Sequence, residues 1–237
     1  TEDNEILCYN ARGIKVKGFK AQKTSAPVKN PIKYMRVGNK DLICAIDDEG
    51  EIYLLNRKGE KRVKLKQRLN HVQDYYVSVG KNYARTYLIG MDSLGNVNRV
   101  SLSDNIEKIK FQHFDTTPMF SYVDLNQDKV KDYVFVSNQF VRDYKQNKRL
   151  LSEYNAKMDL SYPAAFYKFR NGKVVLGVVG KKQNKLHLLN KQGDPFKGFP
   201  VSGNTQFSIG DINNDGRLNI VTGSVGGRIY LYQMDFD

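Results

Sequence analysis

The sequence has no tryptophan, two cysteines, three histidines and six prolines, and it lacks any long apolar run. Each scarcity narrows the field. Nothing approaches the roughly 18 consecutive apolar residues of a membrane-spanning helix, so no membrane insertion is expected. The first residues, Thr-Glu-Asp-Asn-Glu, are polar and acidic and carry no signal-peptide pattern. Cys8 and Cys44 fall in neighbouring repeats and read as two buried thiols acting as small hydrophobes. A disulfide needs Cα atoms within roughly 7 Å, which strands of different sheets seldom offer. No Cys/His spacing of the zinc type is present.

The few histidines leave little for acid–base chemistry. His187 lies within a strand and reads as structural. His71 and His113 each precede a unit's first strand, 42 residues apart, and read as polar loop residues that can share one face. There is no Gly-x-Ser-x-Gly, no His-Glu-x-x-His and no phosphate loop, and Gly223–Gly227 is a hairpin turn.

What is present is aromatic and basic. Twelve phenylalanines and fifteen tyrosines in a 40% hydrophobic chain suit a β-rich core and are too apolar for disorder. The net charge of +13 comes mostly from dispersed lysines, with short interrupted runs at Lys58–Lys66 and Lys181–Lys185. A solvated basic surface is the simple reading, and a polyanion-binding face is the functional one.

Internal repetition decides the fold class. An apolar strand followed by Asn-x-x-Gly occurs at Ile6–Gly13, Ile52–Gly59 and Leu186–Gly193. The asparagines are 46 and then 134 residues apart, and 134 is close to three periods of about 45. Degenerate copies lie near Val97–Leu102 and Phe140–Tyr144, and the last copy is Ile229–Gln233. The units run approximately 1–29 (partial), 30–70, 71–112, 113–157, 158–202 and 203–237. In the first, Glu5–Asn10 and Ile14–Ala21 read as third and fourth strands only. Helical periodicity is absent, and Asn-Asp-Gly and Gly-Gly punctuate strands of about five residues. A four-stranded unit of this length cannot cover both sheet faces alone. Radial stacking does so and leaves short edges. The expected fold is therefore an all-β propeller of four-stranded blades, five or six in view, in one domain over 1–237.

Two hairpins sharpen this. One is Phe207-Ser-Ile-Gly-Asp-Ile-Asn-Asn-Asp-Gly216 followed by Asn219-Ile-Val-Thr-Gly223; the other is Ser121-Tyr-Val-Asp-Leu-Asn-Gln-Asp-Lys-Val-Lys-Asp132. They resemble the FG-GAP/VCBS class of propeller repeat, found in integrin α-chain heads and bacterial surface proteins. The missing tryptophan fits poorly with quinoprotein and BamB-like blades, and the Trp-Asp signature of WD40 blades is absent.

The resemblance implies hairpins that hold calcium through hard oxygen ligands converging in a tight turn. The first set would be Asp124, Asn126, Asp128, the Val130 carbonyl and Asp132, with Lys129 where glycine eases the bend. The second would be Asp211, Asn213, Asp215, the Arg217 carbonyl and Asn219, which lacks the closing carboxylate. The alternative is a metal-free turn in which Asp and Asn cap the local N–H groups. The first hairpin, with three carboxylates against two, is expected to be the tighter calcium site.

The favoured function is a non-catalytic propeller that binds a protein or glycan, or acts as a scaffold. Placement outside the cytoplasm is implied by the resemblance alone. A polyanion-binding module is the alternative, with nucleic acid the disfavoured polymer, and an enzyme with a funnel site built from scattered loops comes third. Partners are expected on loops entering first strands and joining second to third strands, at Asp47, His71, Asp92, Asn138 and Lys182.

Overall fold

The computed structural model describes residues 3–111, 114, 116–169 and 172–234. The chain divides into two compact units, 1–113 and 114–237. In the first, β1 (Glu5–Ile6) and β2 (Gln22–Lys23) form a short ribbon. A four-stranded sheet follows, of β3 (Lys33–Val37), β4 (Lys40–Ile46), β5 (Ile52–Leu55) and β6 (Lys61–Val63). The next has β7 (Tyr76–Ser78), β8 (Tyr87–Met91), β9 (Val97–Ser101) and β10 (Ile106–Ile109).

The second unit opens with β11 (Met119–Val123), β12 (Asp132–Ser137), β13 (Phe140–Tyr144) and β14 (Leu150–Asn155). Then come β15 (Ala165–Lys168), β16 (Val174–Gly180), β17 (Lys185–Leu189) and β18 (Val201–Ser202). A three-stranded sheet of β19 (Phe207–Gly210), β20 (Leu218–Gly223) and β21 (Ile229–Met234) ends the described chain. Strands pair antiparallel in sequence order throughout. The only helical pieces among the described residues are single 3-10 turns, Tyr83–Arg85 and Val225–Gly227.

The Asn-x-x-Gly repeat has a physical reason. In the loop 56–60, the Asn56 side-chain oxygen accepts the N–H groups of Lys58 and Glu60, while Gly59 takes a positive φ of 76°. The side chain thereby satisfies donors that the turn leaves without a strand partner. Asn10 and Asn190 do the same for the residues two and four positions on. So do the aspartates Asp47 and Asp92, in loops joining second to third strands. The same backbone loop recurs at 101–105 and 145–149, with Asp104 and Lys148 at positive φ in glycine's place. Those are the degenerate copies, disguised because residues other than glycine occupy the left-handed position.

The ribbon departs from expectation. Strands were expected over Glu5–Asn10 and Ile14–Ala21, but only β1, β2 and a single Tyr9–Lys15 bridge form. The Asn10 loop is followed by a second turn, in which Phe19 N–H bonds the Val16 carbonyl, and the ladder breaks there. The segment 188–199 repeats this arrangement, with a Leu189–Pro195 bridge and Phe199 N–H on the Phe196 carbonyl. That is why β18 is only two residues long.

Burial binds neighbouring sheets. In the first unit, Leu42 and Leu54 of one sheet pack with Leu88 and Val100 of the next, around Leu69 and Tyr75. The Tyr75 hydroxyl donates to the Cys44 carbonyl at 2.8 Å. Cys44 is fully buried and its thiol is pushed up to about 12 by desolvation, whereas Cys8 is only half-buried, against expectation. In the second unit, Val134 and Val136 meet Leu176 and Val178, and Leu186 and Leu188 meet Phe207 and Ile220. Strands β12 and β16 are buried at every residue, so both their faces are covered. Each fully buried aliphatic side chain contributes about 1.5–3 kcal/mol.

Gly59 and Gly13 occupy equivalent loop positions, but a Cβ on Gly59 would sit 2.2 Å from the Lys20 carbonyl oxygen, while nothing lies within 4 Å of one on Gly13. Gly13→Ala should cost about 1 kcal/mol, from the left-handed φ alone. Gly59→Ala should cost clearly more, because the 18–20 segment must shift as well. Chemical denaturation of the two variants checks the order.

Candidate functional site

The two acidic hairpins occupy equivalent places, between β11 and β12 and between β19 and β20. Their backbones match. Gln127 and Lys129 have φ of 63° and 71°, and Asn214 and Gly216 have 60° and 82°. In each, the leading aspartate accepts an N–H five residues on, from Lys129 to Asp124 and from Gly216 to Asp211. The second acid caps the turn end, Asp128 accepting from Val130 N–H and Asp215 from Arg217 N–H. These hydrogen bonds to the charged form lower both acids below the usual carboxylate range.

The hairpins differ in what remains. At 211–219, both Asp211 oxygens and both Asp215 oxygens accept from the chain itself, and Asn219 Oδ1 accepts from Ile212 N–H. That set is self-capped in this form. At 124–132, Asp124 Oδ1 and Asp132 Oδ2 are buried without a partner among the described residues. Lys145 Nζ reaches Asp128 Oδ2 at 3.2 Å and supplies one positive charge there. The donor chemistry at 124–132 fits calcium, although among the described residues no three acidic, His or Cys side chains already converge as ligands.

Beneath this hairpin lies an acid that sequence reading did not single out. Asp143 on β13 is cross-strand from Val134, so it shares a sheet face with Asp132. Asp132 is 1% exposed and Asp143 2%. Desolvation raises Asp132 to about 6, with the charges of Asp128 and Asp124 adding to it. Desolvation likewise raises Asp143 to about 7, helped by Asp132 and Asp128 and opposed by Lys145. An alternation count along β13 is the only sequence signal that could have found it.

The residues expected to face a partner have diverse environments. Asp47 is fully buried, its second oxygen taking Ala26 N–H and the Tyr53 hydroxyl, so it shapes its loop and cannot meet a partner. Asp92 is tied to its own loop and to Lys108 at 2.9 Å. His71 is half-buried against Tyr75 and within 3.0 Å of the Gln73 carbonyl. Asn138 and Lys182 are exposed at second-to-third turns. His113 lies outside the described residues. His187 is buried with Nδ1 2.7 Å from the Tyr154 hydroxyl, as befits a structural histidine.

Two cavities open elsewhere, at the strand end bearing first-to-second and third-to-fourth loops. In the first unit a cavity of about 490 Å³ is lined by Val37, Lys40, Lys81, Tyr83 and Ser103. In the second, one of about 620 Å³ is lined by Gln127, Lys173, Lys191, Phe196 and Lys197. Dispersed lysines in the sequence gave no sign that some would gather at cavities.

No protein-family model matches the chain, and no curated protein matches it. Solved structures do. BBS1N, in a crystal structure of its complex with ARL6DN, is 10% identical with a TM-score of 0.60, matching 99% of this chain and 73% of that one. Another BBS1N structure is matched over 66% of its length. Hsv2 from Kluyveromyces lactis is 11% identical, with a TM-score of 0.59 and coverage of 99% and 69%. Virginiamycin B lyase from Staphylococcus aureus is 14% identical, with a TM-score of 0.53 and coverage of 99% and 79%. The likeness fixes the fold as an all-β propeller of antiparallel, mostly four-stranded blades.

Two predictions follow from the hairpin and the acid below it. Lys129 holds a left-handed φ that glycine holds in the sister hairpin, so Lys129→Gly should stabilise by up to ~1 kcal/mol in denaturant melts. The buried acids act through pH. Their raised values give stability that is full below the ordinary carboxylate value of 3.8 and is lost as pH rises through about 6 and about 7. His187, lowered by burial, works in the opposite sense over the same window. The difference between variant and parent therefore isolates the acid. Measured against the difference near pH 3.5, the Tm of Asp143→Asn should gain on the parent as pH rises from about 4 to about 7 and level off above that. Parallel profiles would contradict the assignment.

Proposed function

We propose that the chain is a non-catalytic propeller of the FG-GAP/VCBS type that works as a protein-binding scaffold outside the cytoplasm, with calcium bracing its 124–132 hairpin. The observation that carries the binding reading is the lining of these two cavities. Lysines, amides and aromatic rings converge there, groups that recognise by charge, hydrogen bond and contact. The complex of BBS1N with ARL6DN supports it as an instance of a similarly folded chain bound to a protein. Matching φ values in the two acidic hairpins support the repeat type, and the extracytoplasmic placement follows from that resemblance.

The test is reconstitution. A partner captured in cross-linked form should, once purified, bind the chain saturably with a Kd tighter than roughly 10 μM. Failure of every purified candidate to reach that affinity would remove the reading.

Calcium would be held by Asp124, Asp128 and Asp132 with Asn126 and the Val130 carbonyl, and would give the two orphan oxygens a partner. Because Asp132 must be ionised to bind, the effect should be greater at pH 8 than at pH 5.5. Calcium should raise the Tm of the parent and of Asp215→Asn relative to EDTA, and leave Asp132→Asn unmoved. A parent whose melting ignores calcium at pH 8 would make the hairpin a plain capped turn.

A further inference from the structure

We infer that the second unit carries a pocket for an acidic peptide segment, at the strand end opposite the second-to-third turns; this deepens, and rests on, the protein-binding reading. The cavity of about 620 Å³ lies where the β11–β12, β15–β16 and β17–β18 loops meet. Lys173, Lys191 and Lys197 line it, and among the described residues no acid does. Nearby acids are committed elsewhere. Asp128 pairs with Lys145, and Asp194 takes its own loop's Asn190 amide at 3.5 Å. Lys191 and Lys197 are exposed and have no ion-pair partner among the described residues. Three lining lysines against the single charge of Asp194 on the same loop leave the pocket net positive.

Its remaining features select a peptide over other anions. Val174, Pro195 and Phe196 give it an apolar wall. The wall is held by Phe196 N–H on the Leu188 carbonyl and by the Leu189–Pro195 bridge, so it is formed before any ligand arrives. Gln127 is held by its Nε2 on the Gly172 carbonyl at 2.5 Å, which leaves Oε1 to accept a ligand N–H. An inorganic anion would use the lysines alone. A nucleic acid would need open aromatic faces for its bases. Among the described residues Phe196 is the single aromatic ring that lines the cavity, too few to stack successive bases. A peptide with carboxylates flanking one apolar side chain uses every feature: lysines, wall and Gln127.

The experiment uses the whole chain and fluorescence anisotropy. The probe is a short fluorescein-labelled peptide with several carboxylates around one phenylalanine, run beside its counterpart in which Gln and Asn replace Glu and Asp. The acidic probe should bind saturably, weaken with added salt, and outcompete single-stranded DNA and heparin. Lys191→Gln with Lys197→Gln should weaken it about tenfold, from two partly solvated ion pairs, while Lys157→Gln, exposed at the opposite strand end, should leave it unchanged. Both lysines are exposed, so thermal melts of the double variant should match the parent. Equal binding of the amide probe, or indifference to the double variant, overturns the pocket. Tighter binding of DNA or heparin through the same lysines overturns the peptide assignment in favour of a polyanion. A purified protein partner that binds the double variant as tightly as the parent overturns the pocket and leaves the protein-binding reading standing.

Discussion

One interaction sets the rest of the structure: an Asp or Asn oxygen taking the N–H groups two and four residues ahead of it. A five-residue loop needs those donors satisfied, since strand pairing cannot reach them. The side chain does so locally, and a residue at positive φ lets the chain reverse. The result is an antiparallel meander whose register is fixed at its turns. Repeating it gives sheets of one size at one spacing, and sheets of one size can stack. In the Asp47 loop the same carboxylate also takes Ala26 N–H and the Tyr53 hydroxyl, so the turn is anchored to the preceding segment.

The acids of these turns have a second property. Asp47, Asp92, Asp211 and Asp215 are each held in place by backbone N–H groups, and they keep their charge. The 38 basic residues still outnumber the 25 acidic ones, and lysines gather at the cavities of the first-to-second and third-to-fourth loops. A cavity in low-dielectric walls focuses such charge more than an open face does.

The burial that joins sheets carries a cost at one place. Strand β12 is covered on both faces, yet it begins with Asp132, and Asp143 of the neighbouring strand lies on the same face. Two buried carboxylates with orphan oxygens oppose ionisation. A bound cation would relieve that opposition, and protonation relieves it in the absence of one. The sister hairpin avoids the difficulty because Asn219 stands where Asp132 does and stays neutral.

Periodicity and turn chemistry are local properties, and the sequence by itself determined them: the 45-residue repeat, the strand positions, the shared shape of the two hairpins. Each rests on residues near one another in the chain, so a one-dimensional pattern records it. The Asn10 ribbon was misread because its second turn, around Gly18, interrupts pairing that apolar content alone would favour. Tertiary structure decided the rest. Whether Asp47 faced solvent or core depended on Ala26 and Tyr53, which lie 21 residues before it and six after. The placing of Asp132 and Asp143 on one face depended on cross-strand register, and the meeting of Lys173, Lys191 and Lys197 on the approach of two loops of one sheet. Burial and cavity charge are sums over residues far apart in the chain, and only the folded arrangement performs that sum.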